Sequence, residues 1–224
     1  MNDFADVLAD ADVEASVHVR DVDGPGEIGL RPDDPAVLAS TVKVLVALEF
    51  ARQVDAGQLD PAERSRVEAA DRLGGTGFAG FMDDVETSLR DLAVSMMSVS
   101  DNTAADLLVD RVGLDNLKSL AAELGMAGAR ILGGPRRVLQ DIAADLGAPS
   151  LAELAATLRR ASDAELRRTR AYDPARTTAA TPRDMTTLLS RVWRDEAGAP
   201  AACAQARALM GRQLKHRVAP AMPE

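Results

Sequence analysis

The chain has 224 residues, 46% of them hydrophobic and 27% charged, enough for one large domain or two small ones. Apolar residues this plentiful, with 16 Gly and 11 Pro in no period, exclude a disordered or collagen-like chain, and no apolar run approaches the roughly 20 residues of a membrane span. A net charge of -9 repels polyanions on average, which makes nucleic acid and anionic membranes poor partners.

The opening Met1-Asn2-Asp3-Phe4-Ala5-Asp6 is acidic and lacks the basic-then-apolar order of a signal peptide, so a cytoplasmic location is expected of the chain as written. Residues 3–12 carry acidic and apolar residues at helical spacing and predict a short helix. Ala15 to Val22 alternates β-branched and polar residues, Asp23-Gly24-Pro25-Gly26 is a turn, and Glu27 to Leu30 can return as the second strand of a hairpin. A two-stranded hairpin is marginal alone and needs more strands or a helix over it.

From Ala39 the period becomes 3.6. Val42, Val44, Leu45, Leu48, Phe50 and Ala51 predict an apolar helix ending near Gly57, of the kind buried mid-domain. Residues 74–81 are glycine-rich and predict a loop. Further helices are expected at 89–99, 103–112, 115–124, 136–146 and 151–161, punctuated by Gly125, Gly133-Gly134-Pro135 and Gly147-Ala148-Pro149. A Pro/Thr-rich irregular stretch at 171–182 precedes helices at 183–195 and 200–213. Cys203 can form no internal disulfide and, with only His18 and His216, no metal cage, so no cofactor is expected.

Two constellations can carry chemistry. The three lysines are Lys43, Lys118 and Lys215, and Lys43 follows Ser40 by three residues at the start of the most apolar helix. Residues at i and i+3 share a helix face, so the amine can reach the hydroxyl and, once its pKa is lowered, take its proton. The bland alternative is a surface lysine beside a capping serine. The second constellation is Ser100-Asp101-Asn102, whose bland alternative is a helix N-cap turn.

Together, Ser40-Thr41-Val42-Lys43 and Ser100-Asp101-Asn102 resemble the first two signatures of class A β-lactamases and penicillin-binding proteins. The flanks are similar too: Val44-Leu45-Val46-Ala47-Leu48, Gly74-Gly75-Thr76-Gly77-Phe78, and Asp91 to Val99. Asp173-Pro174-Ala175-Arg176-Thr177-Thr178 with Thr181-Pro182-Arg183-Asp184-Met185 resembles the end of the family's omega loop and the helix after it. The resemblance runs from about residue 15 to residue 217. It implies an α/β (α+β type) β-lactamase/transpeptidase-like fold, mostly helical with a small, incomplete antiparallel sheet. The expected organisation is one domain over 1–224, with a helical region at 40–182 and a sheet-side region from 1–39 and 183–224.

The resemblance also implies roles. Ser40 would attack the carbonyl of a small β-lactam-like substrate and form an acyl-enzyme, with Lys43 helping to deprotonate it. Ser100 would pass a proton toward the leaving nitrogen, Asn102 would bind the substrate's side-chain amide, and Asp101 would brace the loop. The Ser40 backbone amide would be half of an oxyanion hole.

Two departures stand out. The omega-loop pattern Glu-x-x-Leu-Asn, whose glutamate activates the deacylating water, does not occur. Glu165, in Ser162-Asp163-Ala164-Glu165-Leu166-Arg167-Arg168, is the candidate substitute, against a plain pairing with Arg168 on a solvated face, and Asp173 is another. The Lys-Thr-Gly signature is also absent, which predicts either a truncated family member or a partner chain that supplies the missing strands. The reading is therefore a serine hydrolase acylated at Ser40 with slow hydrolysis, or a catalytically impaired remnant that binds a ligand or partner. The arginines at 159, 160, 167, 168, 170 and 176, and Lys215-His216-Arg217, read as surface charge.

Overall fold

The computed structural model describes residues 4–11 and 13–214. Lys215-His216-Arg217 lies outside the described residues. Helices α1 (Phe4–Asp10), α2 (Lys43–Asp55), α3 (Leu89–Ser98), α4 (Asn102–Val112), α5 (Leu114–Glu123), α6 (Pro135–Asp145), α7 (Leu151–Leu158), α8 (Asp163–Arg167), α9 (Pro182–Trp193) and α10 (Pro200–Met210) dominate. The strands β1 (Val17–Arg20), β2 (Glu27–Leu30), β3 (Ala36–Val37), β4 (Arg64–Val67), β5 (Val85–Ser88) and β6 (Ala179–Ala180) form three antiparallel pairs among the described residues: β1 with β2, β3 with β6, and β4 with β5.

Helix α2 is the axis of the core. Leu45, Val46, Ala47, Leu48, Phe50 and Ala51 are all at most 1% exposed, so the helix is covered on several sides, as its largely apolar sequence requires. Helix α10 lies against it with Ala202, Cys203 and Ala206, small side chains that let two backbones approach closely. Cys203 is thus a packing residue. Its polar cross-link runs the other way: Gln53 donates to Glu49 at 2.7 Å and to the carbonyl of Val112, at the end of α4, at 2.8 Å.

The β1–β2 hairpin forms with Val17 opposite Leu30 and Arg20 opposite Glu27. Its cover is α9. Arg183 of that helix donates to Glu27 at 2.8 Å and Asp33 at 2.7 Å, while buried His18 pairs its Nδ1 with the hydroxyl of Thr186 at 2.5 Å.

Three features differ from the expectations drawn from the sequence. Residues Ala39–Val42 form a 3-10 turn, and the α-helix begins at Lys43. Left-handed backbone at Ala39 (φ 45°) and the backbone and side-chain bonds from Thr41 to the Leu38 carbonyl hold the tighter turn. The β4–β5 hairpin was not anticipated: Arg64-Ser65-Arg66-Val67 is mostly polar, and its partner lies 17 residues beyond its end. The glycine-rich stretch contains a 3-10 turn at Gly77–Gly80.

Candidate active site

Ser40 and Ser100 come from segments 60 residues apart. Ser40 sits in the 3-10 turn ahead of α2, held by the short β3–β6 pair, where the Leu38 amide also donates to the Thr178 carbonyl at 3.2 Å. Ser100 sits between α3 and α4 with left-handed backbone (φ 60°), a conformation that costs a non-glycine residue about 1–3 kcal/mol and persists only where its surroundings impose it. The next residue imposes it. Asp101 is fully buried, and its Oδ1 caps α4 by accepting from the Ala104 amide at 3.1 Å. Its Oδ2 accepts from the Phe78 amide at 2.9 Å and the Ser95 hydroxyl at 2.7 Å. The bland reading of Ser100-Asp101-Asn102 as a capping turn is therefore correct for Asp101, and the same cap orients its two neighbours.

Lys43 joins the two halves. It is 4% exposed, and its Nζ donates to the Ser100 carbonyl at 2.7 Å, the Ser100 Oγ at 3.1 Å and the Asn102 Oδ1 at 2.9 Å. Ser40 Oγ is 3.4 Å from Nζ but only 2.9 Å from Ser100 Oγ. Burial lowers the Lys43 pKa from 10.5 to about 8, and the negative charge of Asp101 opposes part of that shift. The surface-lysine alternative fails on burial. At pH 7 about a tenth of such an amine is neutral and has a lone pair to offer.

Beside these groups opens a cavity of about 420 Å³. Ser40, Lys43 and Asn102 line its wall together with the apolar Val37, Val42, Val138, Leu139 and Ile142, the ring of Tyr172, and Thr177 and Thr178. Two ion-pair groups hold that wall in place. Arg136 at the start of α6 binds Asp106 of α4 through Nε at 2.8 Å, and Arg170 binds Asp141 and Asp145 at 2.9 Å. Among the described residues, no carboxylate lines the cavity.

Ser40, Lys43, Ser100, Asp101 and Asn102 thus converge, while Glu165 does not. Its carboxylate accepts from the Ser162 amide at 2.8 Å and hydroxyl at 2.7 Å, closing a capping box at the start of α8, and these bonds hold it below its ordinary pKa. Among the described residues it forms no ion pair with Arg168, and it lines a different pocket, with Leu146, Pro149 and Arg160. Asp173 is also spent locally, on the Ala175 amide at 2.9 Å. Ser162-x-x-Glu165 is itself the sequence spelling of a capping box, a signal that would have placed this glutamate. The α6 wall was missed for a different reason: an apolar stripe does not say what it faces.

Known proteins were compared with this architecture. The family profile described as "Beta-lactamase enzyme family" matches residues 1–224. The beta-lactamase regulatory protein BlaB of Streptomyces cacaoi is 28% identical over 237 residues, covering 98% of this chain and 75% of that protein. The crystal structure of a beta-lactamase from Sphaerobacter thermophilus is 26% identical with a TM-score of 0.71, covering 93% of this chain and 67% of that one. One from Chitinophaga pinensis is 18% identical with a TM-score of 0.72, covering 93% and 68%. The chain therefore spans about two thirds of the length of these solved structures. With its whole length matched by the family profile and its fold shared with these structures, the chain belongs to the beta-lactamase enzyme family.

Proposed function

We propose that the chain is a serine acyl-transfer enzyme, acylated at Ser40 by a β-lactam or a related amide or ester, with slow release of the acyl group. The observation that carries this reading is the run of contacts from Ser40 Oγ to Ser100 Oγ (2.9 Å) to the buried Lys43 Nζ (3.1 Å). The direct Ser40–Lys43 separation of 3.4 Å is long for proton transfer, so the shorter route passes through Ser100. Ser40 Oγ bonds to the carbonyl carbon, the bond to the leaving nitrogen or oxygen breaks, and Ser100 returns the proton to the leaving atom. The Ser40 amide lies in the first turn of a 3-10 segment, where backbone N–H groups lack partners within the helix, and would bind the developing oxyanion. Asn102 offers its side-chain amide to the substrate. The proposal covers one domain over 1–224.

A second reading, a ligand-binding regulatory protein, is favoured by a separate observation: the cavity wall offers no carboxylate to activate water among the described residues, and the 28% identical relative is named as regulatory. Intact-protein mass spectrometry after mixing with benzylpenicillin, beside a Ser40→Ala control, separates the two. A Ser40-dependent adduct supports the enzyme. An unchanged mass with no penicillin consumed supports the regulatory binder.

A further inference from the structure

We infer that the cavity beside Ser40 is an acyl pocket for an uncharged hydrocarbon chain, so that the preferred substrates are medium-chain acyl esters or amides. This rests on the acylation of Ser40 proposed above and adds the identity of the acyl group.

The first ground is chemical. The wall combines Val42, Val138, Leu139, Ile142, Ala171 and Tyr172, and among the described residues Lys43 is its sole charged side chain. Lys43 is itself occupied by Ser100 and Asn102. A carboxylate or ammonium on the acyl group would meet only the Asn102 amide and the Thr177 and Thr178 hydroxyls, with no free opposite charge among the described residues to replace its hydration. A methylene chain loses nothing and gains from burial. The volume, about 420 Å³, falls within the range of small-molecule sites.

The second ground is direction. Ser100 Oγ touches Ser40 Oγ, yet Ser100 is not part of the cavity wall. If Ser100 returns the proton to the leaving atom, the leaving group lies on the Ser100 side of Ser40. The acyl portion then points the other way, into the cavity. The α6 wall is also anchored rather than loose, through Arg136–Asp106 and Arg170–Asp141, so the pocket exists before the chain enters it. A filled pocket would exclude water from the face of the acyl carbonyl where no carboxylate stands, which matches slow release.

The test is a series of p-nitrophenyl esters from acetate through butyrate to decanoate, read as p-nitrophenolate release and as mass added to the chain, each with Ser40→Ala beside it. Ser40 Oγ takes the acyl carbon, the ester C–O bond breaks, and p-nitrophenol leaves with the serine's proton. Each added methylene should raise the second-order acylation rate constant about threefold, so octanoate, with six more methylenes, should exceed acetate by about 700-fold. Ile142→Trp fills the pocket and should cut the octanoate-to-acetate ratio about tenfold or more. Leu139→Ala enlarges it and should move the optimum toward decanoate. Far-UV circular dichroism melts establish that both variants are folded. Ser40-dependent acylation with a flat or acetate-favouring series overturns the acyl pocket alone, as does a ratio unmoved in a folded Ile142→Trp protein. If neither the esters nor benzylpenicillin acylates Ser40, the acyl-transfer function falls and the pocket falls with it.

Discussion

A β-carbon on Gly77 would stand 2.0 Å from Oδ2 of the fully buried Asp101, so the glycine and the carboxylate fit only because one has no side chain. Gly77 also has a φ of 76°, and the amide of the residue after it, Phe78, donates to that same oxygen. The glycine-rich loop is thus the other half of the Asp101 site, and through Asp101 it sets the backbone of Ser100.

Gly77→Ala should therefore destabilise the chain by about 2–4 kcal/mol, combining a clash with a buried carboxylate and a left-handed φ. Acylation of Ser40 should slow with it. A thermal melt checks the first and benzylpenicillin adduct formation the second. A melt within a degree of the parent protein would show that Asp101 is not braced from this side.

Asp101→Asn removes the negative charge that opposes the fall of the Lys43 pKa. The Lys43 amine should then titrate below about 8, and the pH midpoint of acylation should move down, although the rate itself falls. An asparagine must also turn its NH₂ toward one of three donors, the amides of Phe78 and Ala104 or the Ser95 hydroxyl. Leaving that donor unsatisfied should cost about 2–3 kcal/mol. A pH–rate profile of the variant beside the parent reads the shift, and a midpoint moving upward would contradict the assignment.

In the parent protein, acylation should rise with pH through about 8, because the neutral amine of Lys43 is the base form and is favoured above its pKa. The sign for stability is the same. Between about 8 and the ordinary 10.5 the unfolded chain holds the proton that the folded chain has released, so this group makes the fold more stable as pH rises across that window. Single-turnover acylation against pH is the direct measurement, with Lys43→Met as the control that should remove both the rate and its pH dependence.

With no carboxylate along the cavity wall among the described residues, the benzylpenicillin adduct should outlast the experiment's mixing time by minutes or more. Steady-state turnover should lie far below the ~10 s⁻¹ of a typical enzyme. Loss of the adduct within seconds would mean that another group activates water, and Glu165→Gln would then show whether the α8 cap contributes.

Arg183→Met should loosen the β1–β2 hairpin from α9. The guanidinium holds the carboxyls of Glu27 and Asp33 below their ordinary pKa values. These contacts are therefore present at neutral pH and are lost as pH falls below the usual carboxylate range and through those lowered values. Hydrogen-exchange protection factors of the amides of Val17–Leu30, taken against the intrinsic rate at each pH, should fall in the variant at pH 7 and in the parent on acidification. Equal exchange in both proteins at pH 7 would assign the docking to His18 and Thr186 instead.

Local patterns decide local structure, and most of the helices could be read for that reason. The apolar period of α2, the glycine and proline punctuation around α6, and the chain-order spellings Ser40-x-x-Lys43 and Ser100-Asp101-Asn102 are all interactions within a few residues. They were sufficient for the family resemblance and for naming the groups that meet. The β4–β5 hairpin was not legible, since its strands are short and mostly polar and owe their pairing to a register across a long connection.

Three matters were left to the tertiary structure. One is that Ser40 lies closer to Ser100, 60 residues away, than to Lys43, three residues away, because the 3-10 turn and the left-handed Ser100 aim the hydroxyls at each other. Another is the burial that depresses the Lys43 pKa, which depends on what covers the amine rather than on its neighbours in sequence. The last is the fate of the carboxylates: Asp101 is buried and committed to three donors of the scaffold, while Glu165 is committed to a cap outside the cavity. Residue type and spacing state which reactions a side chain can perform. Its distance to a partner and its access to water arise only when remote segments pack, and those two quantities govern its reactivity.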